Sequence, residues 1–169
     1  MDGTSKRKLS KRKDPELALT YYKAEGFPIA AVREYIMTIL NSNYEEWRMA
    51  NPDTDCDEFP FSLEKMSTSG ALFDLDKLND VSKDTLVRIP AAELYDFLTG
   101  WAKEFRPEVM KDLEDRDYLL KILDLGRDGK KPRKDLATWA DAKPYMGFFF
   151  DSKQIDAYPE QFKHSDIKA

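Results

Sequence analysis

Apolar residues recur at helical spacing along most of the chain, and glycine or proline separates one group from the next. The cap signal Asp14-Pro15-Glu16, followed by an apolar stripe, predicts a first helix over residues 15–25 that ends at Gly26. A second helix begins at Pro28, and its apolar positions are Ile29, Val32, Ile36, Ile39 and Leu40. This spacing is typical of helix faces that pack into a core.

The middle of the chain predicts short elements joined by polar connections. Residues 41–60 are rich in Asn, Asp and Pro, and their acidic end lacks the spacing and the central glycine of a calcium-binding loop. A brief extended piece at residues 59–61 and a short helix capped by Ser62 are expected to follow. Asp74 and Ser82 are each expected to cap a further short helix.

Longer amphipathic helices are predicted from Pro90 onward. The first of them carries a stripe formed by Leu94, Phe97, Leu98, Trp101 and Phe105. Two more helices, the second ending at Gly126, precede a basic loop at residues 126–134 and a last helical segment at residues 136–145, where Trp139 and Met146 are expected in the core. The predicted fold class is therefore mainly α: short helices, with room for a brief strand or two, followed by an α-helical bundle.

The composition indicates a globular chain without a membrane-spanning helix. With 169 residues, 41% of them hydrophobic, there is enough apolar material for one ordinary domain or two small ones. No apolar run approaches the roughly 18 residues that span a bilayer. The one cysteine, Cys56, excludes an internal disulfide and fits a reducing compartment, so the expected location is the cytoplasm. The one histidine, His164, lies near the C-terminus, and no metal site is predicted.

Positive charge is concentrated in two short segments of an otherwise acidic chain. The net charge is −5, yet residues 1–13 carry six positive charges against Asp2, and residues 127–134 carry five against Asp128. Two basic loops on an acidic body favour localised phosphate contacts over a general polyanion-binding surface. The alternatives are a disordered basic arm or nuclear-localisation-like run for the first segment, and a solvated basic turn for the second.

Three segments carry a resemblance to a known family. The first is the run Lys8-Leu9-Ser10-Lys11-Arg12, which is similar to the KMSKS-type signature of class I aminoacyl-tRNA synthetases in the form common among glutamyl-tRNA synthetases. Residues 19–28 resemble that family's helix with its YKAEGF ending, and residues 69–79 resemble its GAVFDLEKL segment. The order and spacing are those of the bacterial glutamyl enzymes, and the resemblance covers most of residues 6–150.

The resemblance implies two regions. Residues 1–88 correspond to the KMSKS-type loop and stem-contact domain, and residues 89–169 to the N-terminal part of a helical anticodon-binding domain, here truncated. The family's nucleotide-binding domain, with its HIGH-type motif, has no counterpart in this sequence. The chain is therefore expected to be a fragment cut at both ends, a tRNA-binding piece of the ATP-dependent ligase that attaches glutamate to tRNA(Glu) through glutamyl adenylate, and to be inactive alone.

The resemblance also assigns roles to the N-terminal basic segment. Lys8, Ser10 and Lys11 match the catalytic loop, in which mobile lysines stabilise the charge that develops on the triphosphate during glutamate activation. Lys8, Lys11 and Arg12 are the implied ATP-binding residues. ATP with Mg²⁺ is expected in the full-length enzyme, and none is expected to bind to this fragment.

The second basic segment is implied to contact the tRNA anticodon. Residues 131–136 resemble a RPRFDTL stretch whose second arginine recognises the third anticodon base in enzymes that accept only glutamate tRNA, which places that role on Arg133. A guanidinium can donate two parallel hydrogen bonds to a base edge. The lysines of the segment are expected to neutralise phosphate. The tRNA-binding residues so implied are Arg133, Lys130, Lys131, Lys134 and Arg127.

The expected partners are tRNA(Glu) and, only together with the missing catalytic domain, glutamate and ATP; a monomer is expected. One alternative is a free-standing tRNA- or RNA-binding accessory module without catalysis. Another is an interaction domain that binds no nucleic acid, whose basic loops are incidental. Within the family, the alternatives are a non-discriminating enzyme or a glutaminyl relative. The glutaminyl enzymes carry β-barrels in their anticodon-binding part, whereas residues 92–150 are predicted to be helical, which disfavours a glutaminyl relative.

Overall fold

The computed structural model of the chain describes residue 10, residues 12–66 and residues 71–150. Within those ranges the chain contains α-helices and 3-10 helices and no strand, which confirms the mainly α fold class. The brief strand allowed at residues 59–61 is absent there, because the Phe61 N–H turns back to the Phe59 carbonyl at 2.7 Å. None of the helices in these ranges is long and apolar enough to cross a membrane.

Seven α-helices make up most of the described chain. In chain order they are α1 (Leu19–Glu25), α2 (Ile29–Leu40), α3 (Tyr44–Ala50), α4 (Leu75–Leu86), α5 (Ala91–Phe105), α6 (Arg116–Asp124) and α7 (Ala142–Phe150). The 3-10 helix Pro15–Leu17 precedes α1, and further short 3-10 helices lie between the α-helices, at Cys56–Glu58, Leu63–Lys65, Pro107–Leu113 and Trp139–Asp141. Two of these begin at a proline, whose fixed φ suits the first position of a helix.

The first predicted helix is divided in two. Pro15–Leu17 form a 3-10 turn, and α1 begins only after Ala18, which is extended with φ −99° and ψ 128°. The carboxylate of Asp14, the residue before this turn, accepts the Ser10 N–H at 2.6 Å. Helix α1 ends as predicted at Gly26, whose φ of 84° is left-handed.

The predicted helix caps have different outcomes. Asp74 does cap α4, because its carboxylate accepts a backbone N–H of the first turn at 3.1 Å. Ser62 precedes the 3-10 helix Leu63–Lys65, but its side chain makes no capping hydrogen bond. Ser82 is not a cap: it is buried inside the continuous helix α4 and donates its hydroxyl to the Ala137 carbonyl. That prediction was wrong because a serine serves equally as a cap or as a buried donor, and its partner lies 55 residues away.

The first half of the chain has two small apolar clusters. One is centred on Phe27, Tyr35 and Leu78, where α2 packs on α4. The Tyr35 hydroxyl also accepts the Asp74 N–H at 2.7 Å, which ties the start of α4 to α2. The other cluster surrounds Tyr44, beneath α3.

The second half has one larger core, formed by α5, α6, α7 and the 3-10 helix Pro107–Leu113. On α5 the predicted stripe is buried at Leu94, Leu98 and Trp101, whereas Phe97 is 50% exposed and lies against the edge of this core. The buried residues of the core are Leu86, Leu94, Leu98, Trp101, Ala102, Val109, Leu113, Leu119, Ile122, Leu123, Leu136, Trp139, Ala142 and Met146. The predicted burial of Trp139 and Met146 is confirmed.

Helix α7 begins later than the sequence predicts. The segment 136–138 is non-helical, and Thr138 and Asp141 then form a reciprocal capping box around the 3-10 helix Trp139–Asp141. The Asp141 carboxylate accepts both the Thr138 N–H and the Ala137 N–H, at 2.8 and 3.0 Å. These bonds hold the segment before α7 in a fixed non-helical conformation.

The two halves meet at the end of α1. The Gly26 carbonyl accepts the Trp139 N–H at 2.7 Å, and the Lys23 carbonyl accepts the Trp101 indole N–H at 2.9 Å. A Cβ placed on Gly26 would lie 3.0 Å from the Trp139 nitrogen and 3.1 Å from that of Ala140. Gly26 is therefore required twice, for its left-handed φ and for the close approach of two backbones. The domain boundary between residues 88 and 89 falls in the connection from α4 to α5 and stays a prediction.

A buried charged cluster joins α2, α3 and the connection after α4. The Glu34 carboxylate accepts from the Tyr44 hydroxyl at 2.6 Å, from Arg48 at 2.7 and 2.9 Å and from Arg88 at 3.1 Å. Arg48 also donates to the Asn51 carbonyl at 2.7 Å. Because the carboxylate has several charge-assisted partners, its burial at 7% exposure is compensated.

We expect Gly26→Ala to destabilise the chain. A side chain at left-handed φ costs roughly 1–2 kcal/mol, and the contact with two backbone nitrogens adds to that cost. Gly100→Ala is the matched control, because Gly100 lies in α5 with open space around it, where alanine is expected to stabilise by up to about 1 kcal/mol. Urea unfolding followed by circular dichroism measures both, and equal effects of the two substitutions would contradict the packing at Gly26.

Candidate nucleic-acid interface

The described part of the N-terminal basic segment is a closed turn. The Lys13 and Asp14 N–H groups both donate to the Ser10 carbonyl at 2.9 Å, and the buried Asp14 carboxylate accepts the Ser10 N–H. Arg12 is exposed on this turn. Lys8 and Lys11 lie outside the described residues. The catalytic role of Ser10 and the ATP contact of Arg12 therefore stay predictions, with Ser10 placed at the base of the turn.

The second basic segment is a loop whose ends are tied together. Gly126 has a φ of 70°, and its carbonyl accepts the Arg133 N–H at 2.9 Å. The Arg127 N–H donates to the Asp124 carbonyl at 3.3 Å, which continues the end of α6 into the loop. We call residues 126–134 the basic loop. Because the hydrogen bond between Gly126 and Arg133 closes the loop, its side chains extend from a backbone of defined conformation.

Arg127 points into the protein. One terminal nitrogen of its guanidinium donates to the carbonyls of Leu86, Val87 and Ile89, at 2.7, 2.9 and 2.5 Å. These carbonyls stand at the C-terminal end of α4, where a positive charge also complements the helix dipole. Burial lowers the pKa of the Arg127 guanidinium. The structure thus separates Arg127 from the other predicted tRNA-binding residues and places it at the base of the basic loop.

The three lysines of the basic loop are exposed at its surface. Lys134 forms an ion pair with Asp84 of α4, with both side chains about half exposed. Lys130 and Lys131 make no ion pair within the described ranges. Surface ion pairs of this kind contribute little to stability, so all three ammonium groups remain accessible to an anion.

Arg133 has a fixed orientation although it is exposed. Its Nε donates to one oxygen of Asp135 at 2.9 Å and its Nη2 to the other at 3.2 Å, a bidentate pair. The guanidinium also lies 5.7 Å from the centroid of the Tyr145 ring. The hydrogen-bonded Asp135 carboxylate raises the pKa of the Arg133 guanidinium further. Arg133 thus has two side-chain partners at the surface, Asp135 and Tyr145.

Asp135 and Tyr145 are members of this site that the sequence analysis did not single out. Asp135 lies two residues from Arg133, a spacing that permits a bidentate pair but does not require one. Tyr145 comes from α7, ten residues further on. Nothing in the local sequence indicates that its ring lies beside the basic loop.

The described residues offer no convincing metal site. The potential ligands closest together are Asp55, Cys56 and Asp57. Burial raises the pKa of the Cys56 thiol, which disfavours the thiolate that binds metals, and Asp57 is already paired with Arg33. This trio is better explained as the turn around a 3-10 helix, in which Asp55 caps the Asp57 N–H at 2.8 Å.

Several known proteins similar to this chain are glutamate–tRNA ligases. A glutamate–tRNA ligase of Acetivibrio thermocellus is 55% identical over 99% of this chain and 31% of its own length. One of Clostridium beijerinckii is 52% identical over 96% of the chain and 30% of its own length. One of Sorangium cellulosum is 40% identical over 96% of the chain and 29% of its own length. In sequence, this chain belongs to the glutamate–tRNA ligase family.

The match to the glutamate–tRNA ligases extends over nearly the whole chain. A coverage of 99% leaves no room for either basic segment to fall outside the similar region. The chain spans about 30% of the length of these ligases. No protein-family model and no solved structure matches the chain.

Replacement of Arg127 is expected to destabilise this ligase segment. Arg127→Met keeps the length of the side chain but removes the donor to the part-buried Val87 and Ile89 carbonyls, which costs about 1 kcal/mol, the lower end of the range for an unsatisfied group. The Leu86 carbonyl keeps the Ile89 N–H at 3.1 Å. Lys130→Met is the control, since it removes the same charge from an exposed position in the same loop and should change stability by less than about 0.5 kcal/mol. Equal midpoints of urea unfolding for the two variants would refute the supporting role of Arg127.

Proposed function

We propose that this chain acts as the tRNA-binding segment of a glutamate–tRNA ligase, the class of enzyme that joins glutamate to tRNA(Glu) through a glutamyl adenylate made from ATP. The observation that carries the proposal is Arg133, whose side chain is 55% exposed at the surface of a closed basic loop. Membership of the ligase family supports the same conclusion. An outward guanidinium among accessible lysines suits a ligand that combines base edges with phosphates.

The cationic residues of the basic loop would have different roles in tRNA binding. Arg133 would recognise the third anticodon base through hydrogen bonds, because a planar guanidinium can match two acceptors at once. Lys130, Lys131 and Lys134 would neutralise phosphates, and Lys134 would exchange Asp84 for that contact. Arg127 would contribute by holding the loop on α4, through the three carbonyl contacts described above.

The N-terminal turn would serve ATP in the whole ligase. Lys8 and Lys11 would stabilise charge on the triphosphate while the glutamate carboxylate attacks the α-phosphorus and pyrophosphate leaves, and Arg12 would bind the same phosphates. Ser10 would set the shape of the loop, since its backbone carbonyl already accepts two N–H groups. This chemistry needs a nucleotide-binding domain, so the chain alone is proposed to bind tRNA without activating glutamate.

Binding of glutamate and glutamine tRNAs over a salt titration tests the proposal. Wild type should prefer glutamate tRNA, and Arg133→Gln should reduce that preference because a specific base contact is worth about 1–3 kcal/mol. Lys131→Gln is the charge-matched control, expected to weaken both tRNAs alike and to reduce the salt slope by about 1. Absence of salt-dependent binding by wild type would refute the proposal. Equal affinity for both tRNAs would instead indicate a non-discriminating enzyme.

A further inference from the structure

We infer that Asp135 is a positioning residue for base recognition. Its carboxylate binds Nε and Nη2 of Arg133, the inner edge of the guanidinium, and thereby presents the outer edge, formed by Nη1 and Nη2, to one unpaired nucleobase. The inference rests on the proposed function, because it concerns the same basic loop. It goes further by assigning roles to Asp135 and Tyr145 and by defining which atoms of Arg133 are available to the ligand.

The hydrogen bonds of Arg133 define two edges of its guanidinium. Asp135 occupies Nε and one hydrogen of Nη2, at 2.9 and 3.2 Å. A guanidinium carries five N–H groups, so both hydrogens of Nη1 and the second hydrogen of Nη2 remain. These remaining donors lie on the edge away from Asp135, and no described residue accepts from Nη1. The free edge can therefore donate two parallel hydrogen bonds.

The aliphatic part of Arg133 is held as well. A Cβ on Gly126 would lie 2.6 Å from the Arg133 Cδ and 2.9 Å from its Cγ, so the side chain passes directly over the glycine backbone. Its amide is fixed by the bond to the Gly126 carbonyl. Arg133 is thus in contact at its backbone, along its stem and at its inner edge, and contacts that already hold a side chain reduce the entropy it loses on binding.

Tyr145 restricts the guanidinium from a third direction. Its ring lies 5.7 Å from the Arg133 carbon that joins the three nitrogens. Burial, together with the nearby Asp135 charge, raises the pKa of the Tyr145 phenol, so it stays protonated at neutral pH and adds no second negative charge. Asp135 thus occupies the inner edge and Tyr145 lies beside the guanidinium, while the outer edge has no hydrogen-bond acceptor among the described residues.

A nucleobase edge is the ligand class that this arrangement favours. Two neighbouring acceptors on an unpaired base match the two parallel donors, and an unpaired base can approach edge-on. A backbone phosphate offers similar acceptors but needs no fixed orientation. The Asp135 carboxylate holds the guanidinium but adds a negative charge beside the cationic loop. Such an arrangement improves recognition of a base, whereas for a phosphate it only weakens the attraction.

This charge makes the inference testable, because two explanations of Asp135 predict opposite results. If Asp135 is only an acidic group beside the tRNA, Asp135→Asn removes repulsion and strengthens binding of every RNA. If Asp135 positions Arg133, the same substitution reduces the preference for the correct base, although the chain becomes more positive. Asp128→Asn is the matched control, since it makes the same charge change within the basic loop that Asp135 directly follows, and the exposed Asp128 makes no ion pair with any described residue.

The experiment measures binding of the 169-residue chain to two anticodon-stem hairpins that differ only in the third anticodon base. We expect wild type to prefer the glutamate sequence and Asp135→Asn to lower that preference at least fivefold. Asp128→Asn should strengthen binding of both hairpins by a similar, small factor and keep the preference. Asp135→Glu should show a preference between those of wild type and Asp135→Asn, because it keeps a carboxylate at this position. Near-ultraviolet circular dichroism verifies that each variant keeps the native packing.

Each outcome decides the inference. An unchanged preference in Asp135→Asn would overturn it and leave the proposed function intact. Equal weakening of both hairpins by Asp135→Asn would also overturn it, because it would show that Arg133 contacts a phosphate. A wild-type chain that binds neither hairpin at low salt would overturn both the inference and the proposed function. Slower exchange of the Arg133 Nε–H with water in wild type than in Asp135→Asn, observed by NMR, would support the positioning role independently of RNA.

Discussion

The carbonyl groups at the C-terminal ends of two helices hold the halves of this molecule together. The last carbonyls of a helix have no partner within it, and here donors from the second half satisfy several of them. The end of α1 accepts from Trp101 and Trp139, and the end of α4 accepts from Arg127. Each contact joins a backbone carbonyl of the first half to a donor of the second half.

Much of the helical architecture could be predicted because it depends on local signals. Gly26 ends α1, Asp74 begins α4 and the stripe on α5 is largely buried, all consequences of residues within a few positions of one another. Ser82 and Phe97 could not be predicted from the same signals. Ser82 bonds to a carbonyl 55 residues away, and Phe97 is left half exposed by the way α5 meets its neighbours. Both outcomes depend on packing between distant segments.

The candidate interface was predictable as a composition and not as an arrangement. The sequence shows five cations in eight positions, all alike at that level. The fold divides them: Arg127 donates to carbonyls at the end of α4, whereas Arg133 pairs with Asp135 at the surface. Asp135 could have been suspected from its closeness to Arg133, whereas Tyr145 enters the site only through the position of α7. The N-terminal segment gave the family resemblance, and its lysines lie outside the described residues.

The buried cluster around Glu34 constrains how this sequence can drift over time. One carboxylate, Glu34 of α2, serves Tyr44 and Arg48 of α3 and Arg88 after α4, so the four residues come from three separate segments. Loss of the Glu34 carboxylate would leave two arginines without their shared partner, while replacement of the whole set by apolar groups could be tolerated. Single substitutions within this set are therefore expected to destabilise the chain, and these four positions should vary as a group or remain as they are. A mutational scan of single substitutions would overstate how essential each member is on its own.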